Sequence, residues 1–133
     1  MKSIKILSLI VLLLGFTQGV QSQNSDVPGE VIAALNKGDA GKLSSYLNTN
    51  VELVIGNQND VYSKQQANEI ISGFFRKNSV QSFQILHKGS KEAASFVIGT
   101  LRTSTGNYRV YVLTRKSGGT SVIQQLRIET SNE

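Results

Sequence analysis

The stretch VIGTLRTSTGNYRVYVL, residues 97–113, predicts the centre of an antiparallel sheet. Apolar and polar residues alternate on both sides of a short Ser-Thr-Gly segment, and a period of two is typical of strands with one buried face. We expect one strand over residues 94–103 and the next over residues 108–115. The short gap between these alternating runs predicts a β-hairpin.

The register of this hairpin depends on its loop. A three-residue loop with Gly106 in the left-handed conformation pairs Thr103 with Asn107. A two-residue turn ending at Gly106 instead places Arg102 opposite Arg109, and like charges in that position destabilise a sheet. We therefore predict the three-residue loop.

The predicted register assigns each strand residue to one face of the sheet. One set is expected to face the core: Phe96, Ile98, Thr100, Val110, Val112, Val122, Leu126 and Ile128, with Phe83, Ile85 and His87 on the preceding strand. The other set is expected on the outer face: Val97, Gly99, Leu101, Arg109, Tyr111, Leu113, Ile123, Gln125 and Arg127, with Tyr111 lying over Gly99. Because several outer residues are apolar, this face carries a patch of the kind that marks a protein interface.

Further strands are predicted on either side of the hairpin. Residues 80–88 and 121–129 also have strand character, and glycine-containing segments separate them from the hairpin. The four strands are therefore expected to form an antiparallel meander. Further upstream, Val51, Leu53 and Ile55 alternate with other residues and predict one more strand, followed by a turn over residues 56–60.

The stretch SKQQANEIISGFFRKN, residues 63–78, predicts an amphipathic helix. Ser63 and Gln66 have the spacing of a capping box. Cations at the end, Arg76 and Lys77, complement the helix dipole. We predict a helix that packs on the core rather than a membrane anchor, because its apolar residues form one face: Ala67, Ile70, Ile71, Phe74 and Phe75.

Two shorter helices are predicted before the first strand. The first begins at Pro28, with Asp26 as its candidate cap, and ends before Gly38. The second begins after Asp39 and ends at residues 48–50.

The N-terminal residues have the pattern of a secretory signal peptide. Lys2 and Lys5 precede an apolar run of 11 residues, shorter than a membrane span. We predict a signal peptide over residues 1–22 and one domain over residues 23–133. Because the chain has no cysteine, a lipid-bearing N-terminal cysteine is excluded. The expected location is periplasmic or secreted, with no membrane anchor after cleavage.

Composition argues against several classes of function. The chain has one histidine, no cysteine and no paired-acid spacing, so neither a metal site nor another cofactor is predicted. Its cations are scattered, and removal of the signal peptide lowers the formal net charge from +5 to +3, so nucleic acid is not an expected partner. No nucleophile elbow, phosphate loop or dinucleotide fingerprint occurs, and no catalytic residue is predicted.

The predicted elements come in the order helix, helix, strand, helix and then four strands. This order predicts an α+β fold in which a curved antiparallel sheet wraps around three N-terminal helices. This order resembles the cone-shaped nuclear transport factor 2-like superfamily, of the cystatin-like type. The strings YSKQQA, FF, HKGS, VIGTLRTSTGNYRVYVL and IQQLRIE resemble the small exported bacterial proteins of Domain of Unknown Function family 4783. The superfamily resemblance implies a pocket at the mouth of the cone and, often, a homodimer formed through the outer sheet face. Family 4783 has no established activity, so it implies no catalytic residues.

Three functions are compatible with the sequence. The first is a noncatalytic module that binds a small ligand or an envelope component. The second is a structural homodimer, and the third is a cofactor-free enzyme that uses His87 or Asp60. The candidate pocket residues are Tyr46, His87, Thr100, Arg102, Tyr108 and Gln124. The candidate dimer residues are Val97, Leu101, Arg109, Tyr111, Leu113, Ile123, Gln125 and Arg127.

Overall fold

The computed structural model describes residues 26–131, so the predicted signal peptide, residues 1–22, lies outside the described residues. The three predicted helices and five predicted strands follow in the predicted order, and one additional strand lies between the first strand and the third helix. They are α1 (Gly29–Lys37), α2 (Ala40–Ser45), β1 (Leu47–Ile55), β2 (Gln58–Ser63), α3 (Lys64–Lys77), β3 (Val80–Lys91), β4 (Ala94–Thr103), β5 (Gly106–Ser117) and β6 (Thr120–Thr130). The α+β class is confirmed, and β2 is the strand that the sequence did not predict.

The six strands form one sheet in the order β2-β1-β6-β5-β4-β3. The predicted meander of β3 to β6 is confirmed, since each consecutive pair is antiparallel. β1 runs parallel to β6 and antiparallel to β2. The helices lie on one side of this sheet, and no helix within residues 26–131 is long and apolar enough to cross a membrane.

The short helices begin and end largely as predicted. The Asp39 carboxylate accepts from the Lys42 backbone N–H at 3.0 Å and caps α2, and Gly38 ends α1 in the left-handed conformation with φ 68°. Asp26 does not cap α1, because its carboxylate accepts from the Ser90 hydroxyl at 3.3 Å. The residues after Tyr46, predicted to continue and then break α2, already belong to β1.

The long helix α3 is confirmed with its capping box. Ser63 Oγ accepts from the Gln66 N–H at 3.2 Å, and the Gln66 side chain accepts from the Ser63 N–H at 3.1 Å. Ala67, Ile71 and Phe75 are buried. The remaining members of the predicted apolar face, Ile70 and Phe74, are partly buried against the same core. The helix therefore covers the concave side of the sheet.

The predicted register of the β4–β5 hairpin is wrong by one residue. Thr103 pairs with Gly106 rather than Asn107, so the loop contains two residues, Ser104 and Thr105. The buried Thr103 hydroxyl explains this turn, because it accepts from the Thr105 N–H at 3.2 Å and donates to the Gly106 carbonyl at 2.8 Å. Arg102 then faces Asn107, which avoids the like-charge pair without a third loop residue.

The one-residue shift reverses the two faces of β4. Val97 and Leu101, predicted on the outer face, are in the core with exposures of 2% and 0%. Phe96 and Ile98 pair with Leu113 and Tyr111 and lie on the outer face. Thr100 pairs with Arg109 on that same face.

Gly99 also faces inward, so the predicted contact with Tyr111 does not form. The Phe83 ring on β3 lies against Gly99, where an added Cβ would meet ring atoms at 2.5 Å. Gly99 therefore provides the space that the inward-facing Phe83 needs.

Bulges change the expected faces of β6 and β3. Leu113 pairs with Gln125 whereas Thr114 pairs with Ile123, so Gln124 is an extra residue and Ile123 turns inward with 0% exposure.

The β3 pairing shifts between Ile85 and His87, with Leu86 as the extra residue. His87 then pairs with Ile98 on the outer side instead of facing the core, and Ile85 is 39% exposed.

Candidate functional site

A cavity of about 420 Å³ opens where the C-terminal end of α3 meets the ends of β1, β5 and β6. Phe74, Ile55 and Ile128 form its apolar walls, while Asn78 and Tyr108 supply polar groups. The remaining lining residues are Val54, Gly56, Glu129 and Thr130. This volume lies within the range of about 300–1,000 Å³ that is usual for small-ligand sites.

Hydrogen bonds fix one polar corner of the cavity. The Tyr108 hydroxyl donates to Asn78 Oδ1 at 3.1 Å, and the Thr105 hydroxyl donates to the same oxygen. Asn78 Nδ2 donates to the Phe74 carbonyl at 2.8 Å, which ties this corner to the end of α3. With its hydrogen bond donated to Asn78, the phenolic oxygen can accept one from a ligand, and the Thr105 hydroxyl oxygen lies 3.3 Å from it.

Two aromatic rings form an adjoining wall. The Phe74 and Tyr108 ring centroids are 5.0 Å apart, and the ring planes make an angle of 82°. Such edge-to-face pairs are among the preferred aromatic geometries. Both side chains are only partly buried, so ring surface is exposed toward the cavity.

The sheet itself is incomplete beside the cavity. The pairing of β6 with β1 ends at Ile128, whereas its pairing with β5 continues to Thr130. Glu129 and Thr130 thus have a strand partner on one side only, and both line the cavity.

The acidic residue beside the cavity is Glu129, whose side chain lies on the outer face of the sheet. It pairs with Arg109, and its Oε1 atom is 3.5 Å from the Arg127 Nε atom. Arg127 lies on the outer face and does not line the cavity. Among the lining residues the structure describes, there is no lysine, arginine or histidine. The described lining therefore offers no cationic side chain to pair with an anionic ligand.

The predicted pocket residues lie in four separate places, and Tyr108 is the one that lines the cavity. Thr100, Arg102 and His87 lie on the outer side of the sheet because of the register of β4 and the bulge in β3. Gln124 is the bulged residue of β6 and lines a separate outer groove. Tyr46 lies at the end of α2.

Tyr46 belongs to a cluster with Glu30 and Lys42. The Lys42 Nζ atom is 2.9 Å from Glu30 Oε2. The hydrogen bond from Lys42, followed by that from Tyr46, lowers the pKa of the Glu30 carboxyl. The hydrogen bond to Glu30 also raises the pKa of Lys42 and of Tyr46. This exposed cluster joins α1 to α2 and lies outside the cavity lining.

Sequence reasoning missed Phe74 and Asn78 as cavity residues. Phe74 was assigned to the core face of α3, and it does pack partly against the core while its remaining surface lines the cavity. Asn78 is the last residue of the stretch that predicted this helix, and in the structure it is the C-cap residue that follows Lys77.

The outer sheet face differs from the predicted patch in three members. Val97, Leu101 and Ile123 are in the core, whereas Arg109, Tyr111, Leu113, Gln125 and Arg127 lie on the outer face. Phe96 and Ile98 take the apolar positions, and the Phe96 ring stacks on Tyr111 with centroids 6.3 Å apart and planes at 28°. The Gln125 amide donates to the Glu52 carboxylate at 2.9 Å across this face.

Residues 26–131 contain no cluster of three or more histidine, cysteine, aspartate or glutamate side chains placed to hold a metal ion. The cavity corner instead offers an amide and a phenol. These groups suit hydrogen bonding to an organic molecule.

Comparison with known proteins places the chain in a family. A family model described as a domain of unknown function (DUF4783) matches residues 28–129. A solved structure of a DUF4783 family protein from Bacteroides ovatus ATCC 8483 is similar, with 37% sequence identity and a TM-score of 0.78, covering 83% of this chain and 100% of that chain. A DUF4783 family protein from Bacteroides uniformis ATCC 8492 gives 37% identity and a TM-score of 0.77, covering 81% of this chain and 100% of that chain.

A more distant structure supports the fold alone. An NTF2-like protein of unknown function from Cytophaga hutchinsonii ATCC 33406 has 14% identity and a TM-score of 0.55, covering 77% of this chain and 84% of that chain. A search among curated proteins gives no match. The chain belongs to the DUF4783 family and has an NTF2-like fold.

Proposed function

We propose that this protein is an exported, noncatalytic module that binds a small molecule in the cavity at the end of α3. The observation that carries the proposal is the 420 Å³ cavity, which combines the apolar walls of Phe74 and Ile128 with the Tyr108–Asn78 corner. Ligand sites are typically apolar pockets with a few fixed polar groups. Export is supported by the basic and apolar pattern of residues 1–22.

A noncatalytic role fits the groups that reach the cavity. The two bases considered from the sequence, His87 and Asp60, do not line it. Asp60 accepts from the Val61 N–H at 2.7 Å on the edge strand β2. The Tyr108 hydroxyl is already engaged with Asn78, which suits orientation of a ligand better than proton transfer.

Native mass spectrometry of the protein purified without denaturation tests ligand binding. Thr130→Trp fills the cavity from the exposed end of β6, and Thr120→Trp places the same side chain at the opposite end of that strand. We expect the wild type and Thr120→Trp to retain a bound small molecule that Thr130→Trp loses. Wild-type protein that carries no adduct and binds no member of a small-molecule library would refute the proposal.

A second candidate function, a structural homodimer, is favoured by the stacked pair Phe96–Tyr111 on the outer face. Partly buried Ile98 and Leu113 extend this apolar surface. Charges of both signs, such as Arg109 and Glu129, lie opposite each other on the same face, as a self-complementary two-fold interface requires. A second copy of the chain is therefore the partner that this surface fits.

Sedimentation of the mature protein tests the homodimer. The wild type is expected at twice the monomer mass, and Tyr111→Glu is expected to return it to the monomer by placing a charge within the apolar surface. Gln65→Glu, which adds the same charge on exposed α3, serves as the control. A wild-type monomer at high concentration contradicts the dimer and leaves the cavity proposal unaffected.

A further inference from the structure

The cavity at the end of α3 carries features that select for one class of ligand. We propose that it binds a small organic cation, an ammonium group on an apolar body. This inference rests on the proposed binding function and adds the charge and chemistry of the ligand. It is supported by the aromatic wall, the end of the helix and the hydrogen-bonding groups at the corner.

The aromatic wall is the first support. Phe74 and Tyr108 meet at 82° with centroids 5.0 Å apart, so they form two sides of a corner rather than a flat stack. Both rings retain exposed surface at the cavity. Ring faces attract ammonium groups within about 6 Å, and such aromatic corners are the usual means of holding substituted ammonium ions.

The end of α3 is the second support. Phe74 and the C-cap residue Asn78 line the cavity, so the C-terminal end of a 14-residue helix lies at its edge. The last turn of a helix carries the negative end of its dipole, which favours a nearby cation. The Phe74 carbonyl itself accepts from Asn78 N–H at 2.9 Å and from Asn78 Nδ2 at 2.8 Å, so this support is the dipole rather than a free acceptor. Arg76 and Lys77 also lie in this last turn, but both are exposed and neither lines the cavity.

Hydrogen-bonding capacity at the corner is the third support. The Tyr108 hydroxyl donates a hydrogen bond to Asn78 Oδ1, and its oxygen lone pairs can accept from a ligand. No lysine, arginine or histidine is among the described residues that line the cavity, and the Glu129 side chain lies on the outer face beside Arg127. An ammonium group donates hydrogen bonds and accepts none, so it matches the Tyr108 oxygen, whereas a carboxylate or phosphate finds no cationic partner in this lining.

Three probes of nearly equal size separate the contribution of charge from that of shape. They are 2-phenylethylammonium, 2-phenylethanol and phenylacetate, which share a benzyl group and end in a cation, a neutral hydroxyl and an anion. Affinities are measured at pH 7 by titration calorimetry with the full mature domain. We expect the cation to bind about fivefold more tightly than the alcohol, the difference that one cation–π contact supplies, and phenylacetate to bind more weakly than both.

Matched variants identify the source of the preference. Phe74→Leu and Tyr108→Leu each keep an apolar side chain but remove one ring of the corner, so each should lower the ratio of cation to alcohol affinity. Phe96→Leu, which removes a ring from the outer face, should leave that ratio unchanged. Because Phe74 lies on α3 and Tyr108 on β5, the second variant keeps the test informative if Phe74→Leu unfolds.

The outcomes distinguish the two proposals. Equal affinities for all three probes, or a preference for phenylacetate, would overturn the cation assignment while leaving a binding cavity. Failure of every probe to bind, together with wild-type protein that retains no adduct, would overturn both. A cation preference that Phe96→Leu removes as fully as Phe74→Leu would place the site on the outer face and overturn the cation assignment at this cavity.

Discussion

Phe74 and Tyr108 meet edge to face, 5.0 Å between ring centroids, at the point where the long helix ends against the sheet. Phe74 lies seven residues after the buried Ala67 on the apolar face of α3. Tyr108 lies near the start of β5 and faces inward at the open end of the sheet. One ring therefore belongs to the helix and the other to the sheet. The cavity lies at the junction that these two rings close.

Removal of the Tyr108 hydroxyl should weaken this junction. Tyr108→Phe keeps the ring contact but loses the 3.1 Å hydrogen bond to Asn78, and we expect the free energy of unfolding to fall by about 0.5–1.5 kcal/mol. Urea denaturation measures the change. Tyr111→Phe on the outer face is the control and should alter stability by less than about 0.5 kcal/mol. Equal losses in the two variants would show that the Asn78 contact contributes nothing specific.

Gly99 provides a test of the β3–β4 packing. An alanine Cβ at this position would lie 2.4 Å from the Gln84 carbonyl oxygen and 2.5 Å from the Phe83 ring. Because a backbone oxygen cannot move aside easily, Gly99→Ala is expected to destabilise the domain by about 1–3 kcal/mol or more. Gly29→Ala, at a helical position with no atom within 4 Å of the new Cβ, should be neutral or stabilising. Thermal melts of the two variants compare them directly.

The capping box of α3 should contribute measurably to stability. Ser63→Ala removes the acceptor for the Gln66 N–H, and a loss of about 1 kcal/mol is expected from the lost N-cap. Ser72→Ala within the same helix is the matched control, and it should cost less because alanine has the higher helix propensity. Chemical denaturation gives both values. A larger loss at Ser72 than at Ser63 contradicts the assigned role of the cap.

The pKa of Glu30 should depend on Lys42. The hydrogen bond from Lys42 is the largest cause of the lowered pKa of the Glu30 carboxyl, so Lys42→Met should raise that pKa toward its ordinary value. A carboxyl with a lowered folded-state pKa contributes stability above its unfolded pKa and loses it as the pH falls through the folded pKa. Lys42→Met should therefore flatten the acid limb of the stability curve. Carbon NMR titration of Glu30 checks the shift, with Lys37→Met, a nearby exposed lysine on α1, as the control.

The sequence predicted the long-range plan well because strong local signals determine it. The capping box at Ser63, the glycine after α1 and the alternation in β4 and β5 each depend on a few adjacent residues. The strand β2 was missed because its six residues, QNDVYS, are mostly polar and exposed, so no apolar alternation marks them. That strand forms through pairing with β1 rather than through its own composition.

The candidate site was predicted less well because it depends on register. A single side chain, the Thr103 hydroxyl, satisfies a two-residue turn and thereby moves Thr100 and Arg102 to the outer face. The bulges at Leu86 and Gln124 cannot be read from alternation, since each inserts one residue into a pattern whose period is two. Tyr108 faces inward and lines the cavity because it lies on β5, the strand whose predicted faces the register shift left unchanged.

A pair of core and surface substitutions tests the observed register itself. Leu101 is fully buried and Ile98, three positions earlier on β4, lies on the outer face. Leu101→Ala should cost about 2–5 kcal/mol through lost burial and the cavity left behind, whereas Ile98→Ala should cost less than about 1.5 kcal/mol. The three-residue loop predicts the opposite order, since it places Ile98 inside and Leu101 outside. Equilibrium unfolding of the two variants therefore decides between the registers, and a greater loss at Ile98 would contradict the observed pairing of Thr103 with Gly106.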